Sequence, residues 1–193
     1  MRASGRFGLC AALLSVLVLA VAACGGQSQD AHEPSGNFKV QVLRASFPGK
    51  QKLAKRSTMV IVVKNVDNQS LPDVSVTVDS FNHRSNAPDL ADASRPVFVV
   101  NKGPLGGDTA NQATSAFGHS LKPGHTATFR WDVTAVHAGP YKIGWEISAG
   151  LFGKARAVDS QGNVPKGEFA GTISRAAPHS TVNFKNGRTV QGD

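Results

Sequence analysis

Two stretches that alternate strictly between apolar and polar residues constrain the fold of this 193-residue chain most. Every second residue from Ala127 to Val133 is apolar, and the same holds from Tyr141 to Ile147, after the turn residues Ala138-Gly139-Pro140. A period of two is typical of strands with one buried face. The segments therefore predict a hairpin of neighbouring strands in a sandwich. Trp131 and Trp145 lie on the apolar faces, so we expect them in the core and not on a ligand platform.

Shorter segments carry a related signature. In the segment that begins at Phe38, the apolar residues are Phe38, Val40 and Val42 at first and Leu43, Ala45 and Phe47 afterwards. This slip of one residue in the alternation predicts a β-bulge near Val42-Leu43. The run Met59–Val63 is apolar throughout and predicts a strand covered on both faces. Because no apolar period of 3.6 follows the N-terminal segment, we expect an all-β fold. The remaining predicted strands are Phe38–Val42, Val74–Val78, Val97–Val100, Phe169–Ile173 and Thr181–Phe184.

Long segments rich in turn residues interrupt these strands, namely Phe81 to Ser120, apart from Val97–Val100, and Gly150 to Gly167. The second of them holds a predicted hairpin around Ser160–Asn163. Long loops in a compact domain are often functional, and the loops of a sandwich gather at its two ends. The candidate interaction residues are therefore Asn82, Arg84, Asp89, Asp92 and Arg95, with Lys154 and Arg156 as a second set suited to anionic polymer or lipid headgroups.

The N-terminus has the parts of a secretory signal. Arg2 and Arg6 precede an apolar run from Leu9 to Ala22, which is too short for a comfortable transmembrane helix of about 20 residues. The run ends in Val21-Ala22-Ala23-Cys24, which resembles the lipobox of bacterial lipoproteins. This resemblance implies cleavage before Cys24, a lipid on its thiol, and export to the outer face of the cell membrane. A polar segment suited to a flexible tether follows.

Charge and cysteine content agree with an exported domain. Removing Arg2 and Arg6 with the signal leaves 19 basic residues against 13 acidic ones, a net charge of +6. The basic residues are scattered along the sequence, which favours an ordinary solvated surface. Nucleic acid is not an expected partner, because basic and aromatic residues are not interleaved. With Cys10 lost and Cys24 acylated, no thiol remains for a disulfide, so the core must stabilise the domain.

The strand segments resemble a known class of domain. The stretch Leu121 to Val133 with the following Ala138-Gly139-Pro140-Tyr141 is similar to the closing strands of bacterial Ig-like domains of the CARDB and related adhesion-type modules, and Val63 to Val76 resembles their earlier strand–loop–strand. The resemblance implies an Ig-like antiparallel β-sandwich in which Tyr141 forms a tyrosine corner. The long segments Phe81 to Ser120 and Gly150 to Gly167 are loop insertions that a minimal domain of this kind lacks, so the strand order in the middle stays open. The mature chain also resembles uncharacterised actinobacterial lipoproteins. The expected organisation is a signal peptide at 1–23, a tether at 24–36, a sandwich at 37–185 and a tail at 186–193.

No catalytic or metal-binding pattern stands out. The histidines lack zinc-ligand spacing, the thiols are gone, and the remaining methionine, Met59, lies in an apolar run that disfavours copper binding. Asp89 and Asp92 are the best carboxylate pair for a cation or for acid–base chemistry, but we prefer to explain them as a solvated loop with a helix cap. We therefore expect no enzyme, no cofactor and no metal.

Two functions remain open at this point. The first is a non-catalytic lipoprotein, held to the membrane through lipidated Cys24, that presents an Ig-like domain to an unknown envelope protein or polymer. The alternative is an accessory lipoprotein that binds a glycan or a small ligand. Exposure of Phe117 and Phe152 on one surface favours the alternative, because glycan binders expose aromatic side chains.

Overall fold

The computed structural model describes residues 33–78, 96–110, 113–176 and 179–191. Every regular element within these ranges is a β-strand, and none of them contains a helix of the length and apolarity that a bilayer crossing needs. Glu33–Asp193 forms a compact unit by itself. The strands are β1 Gly36–Ser46, β2 Lys50–Lys52, β3 Arg56–Asn65, β4 Ser75–Val78, β5 Phe98–Leu105, β6 Asp108–Thr109, β7 Thr114–Ala116, β8 Thr126–Ala135, β9 Gly139–Ser148, β10 Ala155–Val158, β11 Lys166–Ser174, β12 Ser180–Asn183 and β13 Arg188–Gln191.

The strands form two sheets that enclose one hydrophobic core, which confirms the predicted β-sandwich. A five-stranded sheet has the order β10-β1-β3-β8-β5, and a six-stranded sheet has the order β2-β11-β9-β4-β7-β6. Pairing is antiparallel except between β1 and β10 and between β11 and β2. Strands β12 and β13 form a separate two-stranded sheet, so Thr181–Phe184 and the predicted tail pair with each other.

Alternating residues of the central strands fill the core. On β3, Met59, Ile61 and Val63 are fully buried, whereas Val60 and Val62 are half-buried. The prediction that this run is covered on both faces is therefore wrong. Strand β3 lies between β1 and β8, and only one face of that sheet meets the other sheet. The opposite face belongs to the surface of the molecule.

The predicted hairpin of β8 and β9 is also wrong. Strand β8 pairs with β3 and β5 in the five-stranded sheet, while β9 pairs with β11 and β4 in the six-stranded sheet. The connection between them crosses the sandwich. An alternating sequence states only that each strand has one buried face, and two strands that face each other across a core satisfy that condition as well as a hairpin does.

The predicted bulge is confirmed, but only one of the three residues expected to turn toward the core after it does so. The register between β1 and β3 shifts between Val42 and Arg44. Phe47 then packs against the core, whereas Leu43 is 50% exposed and Ala45 is exposed. Leu43 is the extra residue of the bulge, opposite no residue of β3, so it lies outside the ladder that orients its neighbours.

Both long loop segments contain strands. The part of Phe81 to Ser120 predicted as loop after Val100 supplies the end of β5 and strands β6 and β7. In Gly150 to Gly167, strand β10 pairs with β1. The turn predicted at Ser160–Asn163 forms, with hydrogen bonds closing it onto Asp159. It is not a hairpin, because it carries the chain from β10 in one sheet to β11 in the other.

Tyr141 is buried, but it does not form a tyrosine corner. Its hydroxyl donates to the carbonyl of Pro48 and accepts a hydrogen bond from Gln51 Nε2 at 3.2 Å. A corner tyrosine bonds to the chain a few residues upstream. Here the parallel pairing of β2 with β11 brings a distant segment against β9, so the hydroxyl ties the edge of the six-stranded sheet to its centre. Burial raises the pKa of Tyr141 above its usual value.

Asn65 plays a comparable part at the end of β3. Its side chain is fully buried, its Nδ2 donates to the carbonyls of Gln69 at 2.8 Å and Leu121 at 2.7 Å, and its Oδ1 accepts from the N–H of Asp67 at 2.8 Å. The bond to Leu121 is buried, and the other two are partly buried. The amide therefore fixes the turn after β3 to the segment that leads into β8.

Candidate interaction surfaces

Most of the predicted interaction residues lie outside the described part of the chain. Lys154 and Arg156 are described, and both are exposed. Arg156 lies on the edge strand β10 opposite Asn37 of β1. The backbone N–H of Lys154 donates to the carboxylate of Glu33 at 3.1 Å, at the start of the domain. The residues on which the structure gives no information are Cys24, Asn82, Arg84, Asp89, Asp92 and Arg95.

Arg156 belongs to a larger basic surface, which we call the basic face. It is the outer face of the five-stranded sheet, where side chains alternate with those of the core. The five strands of this sheet contain seven basic residues and one acidic residue, Asp132. All seven have the outward phase. They are Lys39, Arg44, Arg56, Lys64, Lys102, Arg130 and Arg156.

The register brings these residues together across the strands. Lys64 of β3 lies opposite Gln41 of β1 and Thr126 of β8. On the next row of β3, Arg44 and Thr128 flank Val62. Such opposite pairs have Cβ atoms about 4.5–5.5 Å apart. Arg44 is therefore a diagonal neighbour of Lys64, at about 7–8 Å, although the two lie far apart in sequence.

Further along the face, Arg130 of β8 lies between Val60 of β3 and Leu105 of β5. Val60 and Val62 are half-buried, and Leu105 is exposed. The long stems of arginine and lysine cover apolar surface while the charged ends remain in water. On the basic face, the apolar side chains of Val60, Val62 and Leu105 thus lie among the stems of basic residues, whose charged ends point to solvent.

Little negative charge offsets these cations. Asp132 lies opposite Lys102 and accepts a hydrogen bond from Thr58 Oγ1 at 2.9 Å. Within the described ranges, none of the seven basic side chains forms a salt bridge. Asp67 lies at the margin of the face, where its Oδ2 accepts the N–H of Lys39 at 2.7 Å. That hydrogen bond, with those from Gln69 and Asn68, lowers the pKa of Asp67 against the opposing effect of its burial.

The opposite outer face, which we call the mixed face, has a different charge pattern. The strands of the six-stranded sheet contain four basic residues, Lys50, Lys52, Lys142 and Lys166, and three acidic ones, Asp108, Glu146 and Glu168. Lys142 Nζ lies 3.1 Å from Glu168 Oε1, and Lys166 lies opposite Glu146.

The two loop phenylalanines do not form one exposed aromatic surface. Phe117 packs against the core and its ring centroid lies 3.8 Å from that of His119, whereas Phe152 is 49% exposed. Nearby, Asp73 accepts the N–H of Gly118 at 2.9 Å, and burial raises the pKa of Asp73. No group of three or more His, Cys, Asp or Glu residues suited to a metal ion occurs within the described ranges.

The tryptophans differ from each other. Trp131 is 4% exposed and lies in the core, as predicted. Trp145 has the inward phase of β9 and packs against the core, but it is only half-buried and lines an open cleft between the sheets. The alternation in sequence predicts a core position for both tryptophans. It cannot distinguish them, because it does not show where the two sheets move apart and open a cleft.

No protein-family model and no curated protein matches the chain. Among solved structures, the CARDB domain of a Pyrococcus furiosus protein in complex with di-metal ions is similar at 13% identity and a TM-score of 0.44, over 77% of this chain and 98% of that one. Native alpha-2-macroglobulin of Escherichia coli, from domain MG7 to the C-terminus, is similar at 14% identity and a TM-score of 0.44, over 78% of this chain and 19% of that one. A cohesin module of a Clostridium perfringens family 33 glycoside hydrolase reaches a TM-score of 0.39 at 7% identity, over 72% of this chain and 98% of the module. At these values the function has to be argued from the residues of the chain itself.

Proposed function

We propose that this protein is an exported lipoprotein, anchored through Cys24 to the outer face of the cell membrane, whose Ig-like domain is a non-catalytic interaction module. We propose further that its basic face contacts an anionic component of the cell envelope. The observation that carries this proposal is the segregation of charge, with seven basic residues and one acidic residue on the strands of one sheet.

The sheet gives this face its binding capacity. A rigid sheet holds the cationic groups in fixed rows, so little conformational entropy is lost when the face meets a surface. Each basic residue near an anionic membrane contributes about 1 kcal/mol. Seven such residues provide a strong attraction, whose range is about 8 Å at physiological ionic strength.

The proposed tether supports lipid headgroups as the first surface within reach. As a tether, the eight residues from Gly25 to His32 have a root-mean-square reach of about 14–17 Å. They precede Glu33, which is hydrogen-bonded to the domain, and β1, the strand that contributes Lys39 and Arg44 to the basic face. A domain held at this distance meets the headgroup region repeatedly, so that even weak contacts become populated.

Binding of a chain that begins at Gly25 to lipid vesicles tests the proposal. This chain lacks both cysteines and retains the compact unit Glu33–Asp193. We expect it to bind phosphatidylglycerol vesicles and not phosphatidylcholine vesicles. The double variant R44E/R130E should lose this binding.

The matched control is K50E/K52E, which changes the charge equally on β2 of the mixed face and should bind as the unchanged chain does. If vesicles fail but an anionic wall polymer binds in a manner that R44E/R130E abolishes, the partner is the polymer and the role of the face stands. Equal loss in both double variants, or no binding to either probe, would contradict the proposal.

A further inference from the structure

An open cleft lies at one margin of the sandwich, where β1 of one sheet faces β9 and β11 of the other. Its volume is about 540 Å³, within the range of about 300–1,000 Å³ that is usual for small-molecule sites. The connection between β10 and β11 contributes a further wall. The lining residues are Val40, Gln41, Val42, Val66, Trp145, Asp159, Ser160, Pro165 and Lys166.

Trp145 is the central feature of this cleft. Its neighbours in phase, Ile143 and Ile147, are fully buried, whereas the indole is open on one side. Opposite it on β11 is Gly167, where a Cβ would lie 2.5 Å from Cζ2 of the indole. A glycine at this position therefore lets the ring lie against the strand. The indole N–H has no hydrogen-bond acceptor in the described part of the chain.

Trp145 also belongs to the lining of a second cavity, of about 290 Å³. Lys166 lines both cavities, and the other lining residues of the second one are Thr77, Gly144, Glu146 and Gly167.

The cleft combines an apolar wall with a polar rim. Val40, Val42 and Pro165 join the indole in the wall. The rim has an amide, a hydroxyl, a carboxylate and an amine, and so carries charges of both signs. Asp159 is fixed in position, because its Oδ1 accepts the N–H groups of Gln161 at 2.8 Å and Asn163 at 2.9 Å.

We infer that the Trp145 cleft binds a neutral saccharide. A sugar ring has an apolar C–H face that packs on an aromatic ring, and its edge carries hydroxyl groups that both donate and accept hydrogen bonds. The amide of Gln41, the hydroxyl of Ser160 and the unpaired indole N–H match that edge. A ligand with a strong charge of either sign would meet repulsion from Lys166 or from Asp159, and a purely apolar ligand would leave the rim without partners.

Calorimetric titration of the full-length protein tests this inference. The protein is kept in micelles of a zwitterionic detergent without a sugar headgroup, and the probes are cellobiose, maltose and N,N′-diacetylchitobiose. We expect saturable binding of at least one of them with a dissociation constant in the millimolar range or tighter. Its binding should also change the fluorescence of Trp145, while Trp131 remains a buried reference.

Variants locate the binding in the cleft. W145A should weaken binding about tenfold or more, and W145F, which keeps an aromatic ring, should weaken it less. D159N and Q41A should each weaken binding by a smaller factor. F152A removes an exposed aromatic side chain outside the cleft and should leave binding unchanged, and thermal unfolding of each variant shows that it is folded.

Three results would overturn the inference. The first is that none of the three saccharides binds at millimolar concentration. The second is that F152A weakens binding as much as the cleft variants do. The third is that glucuronate, a charged sugar acid, binds more tightly than every neutral probe. If W145A does not fold, W145F and D159N decide the outcome, because W145F keeps an aromatic ring in the cleft and D159N preserves the size of the side chain it replaces.

Discussion

The two outer faces of the sandwich have similar architecture and different charge. On the five-stranded sheet, seven cations face one anion, whereas the six-stranded sheet carries four cations and three anions, two of which lie beside lysines. Folding does not require this difference, because both sheets are equally able to bury their inner faces in the common core. Repulsion among like charges costs stability. A surface that keeps such repulsion is therefore best explained by what it contacts.

Among these predictions, the largest effect is the loss of affinity for anionic vesicles when the basic face is neutralised. The triple variant R44Q/K64Q/R130Q removes three cations, each worth about 1 kcal/mol near an anionic membrane, so affinity for phosphatidylglycerol vesicles should fall about 100-fold. Its stability should stay the same or rise, because mutual repulsion is relieved. Vesicle co-sedimentation and chemical denaturation measure the two quantities.

The counterpart on the mixed face is K50Q/K52Q/K142Q, which removes the same charge. Its affinity should fall less than about threefold, since long-range attraction alone is affected and salt screens it. Equal losses in the two triple variants would mean that net charge matters and that the face does not.

The buried amides that anchor the two sheets should also differ. N65A removes three hydrogen bonds of a fully buried side chain and leaves a cavity, so it should lower the free energy of unfolding by about 3 kcal/mol. Q51M should cost about 1 kcal/mol, because Gln51 already has an unpaired buried Oε1 whose removal offsets the lost hydrogen bonds of Nε2. Urea denaturation compares them, and equal costs would contradict this reading of the two sites.

Acid should affect the two characterised aspartates in opposite ways. The pKa of Asp67 is lowered in the fold, chiefly by the N–H of Lys39, so its contribution is present above the unfolded pKa of about 3.9 and is lost as pH falls through the folded pKa. The pKa of Asp73 is raised by burial, so stability falls as pH rises from the unfolded pKa through the folded one. D67N should therefore flatten the acid loss of stability and D73N should steepen it. Denaturation from pH 2 to 7 would contradict this if both shifted the curve the same way.

The smallest effect is expected for the ion pair of the mixed face. Lys142 and Glu168 are both largely exposed, and exposed pairs typically contribute less than about 1 kcal/mol. A double-mutant cycle of K142A and E168A should give a coupling of about 0.3 kcal/mol that disappears in high salt. A coupling above 1 kcal/mol would contradict the expectation that this exposed ion pair contributes little to stability.

The sequence was sufficient for the strands and not for their partners. Period-two alternation located β1, β4, β8 and β9, and a phase slip located the bulge near Val42-Leu43, because both signals are local. The pairing of β10 with β1 and the separation of β8 from β9 depend on where the chain crosses between sheets. No local signal records that crossing.

The candidate sites were missed because they too depend on which strands lie side by side, and not on a local signal. The outward phase of Lys64 or Arg130 follows from its own strand, but the basic face exists only once the strand order places these strands side by side. Scattered basic residues therefore suggested an ordinary surface. Trp145 was assigned to the core for the same reason, since its alternation matches that of Ile143 and the opening between the sheets is not a property of one strand.

A fluorescent probe on each face shows whether the basic face, and not the mixed face, contacts an anionic membrane. In the cysteine-free chain that begins at Gly25, T128C lies on the basic face and A170C on the mixed face, and both positions are exposed. Each is labelled with the same polarity-sensitive fluorophore and mixed with phosphatidylglycerol vesicles. We expect a blue shift at position 128 that salt reverses, and none at position 170. An equal response at both positions, or a response at position 170 alone, would contradict it.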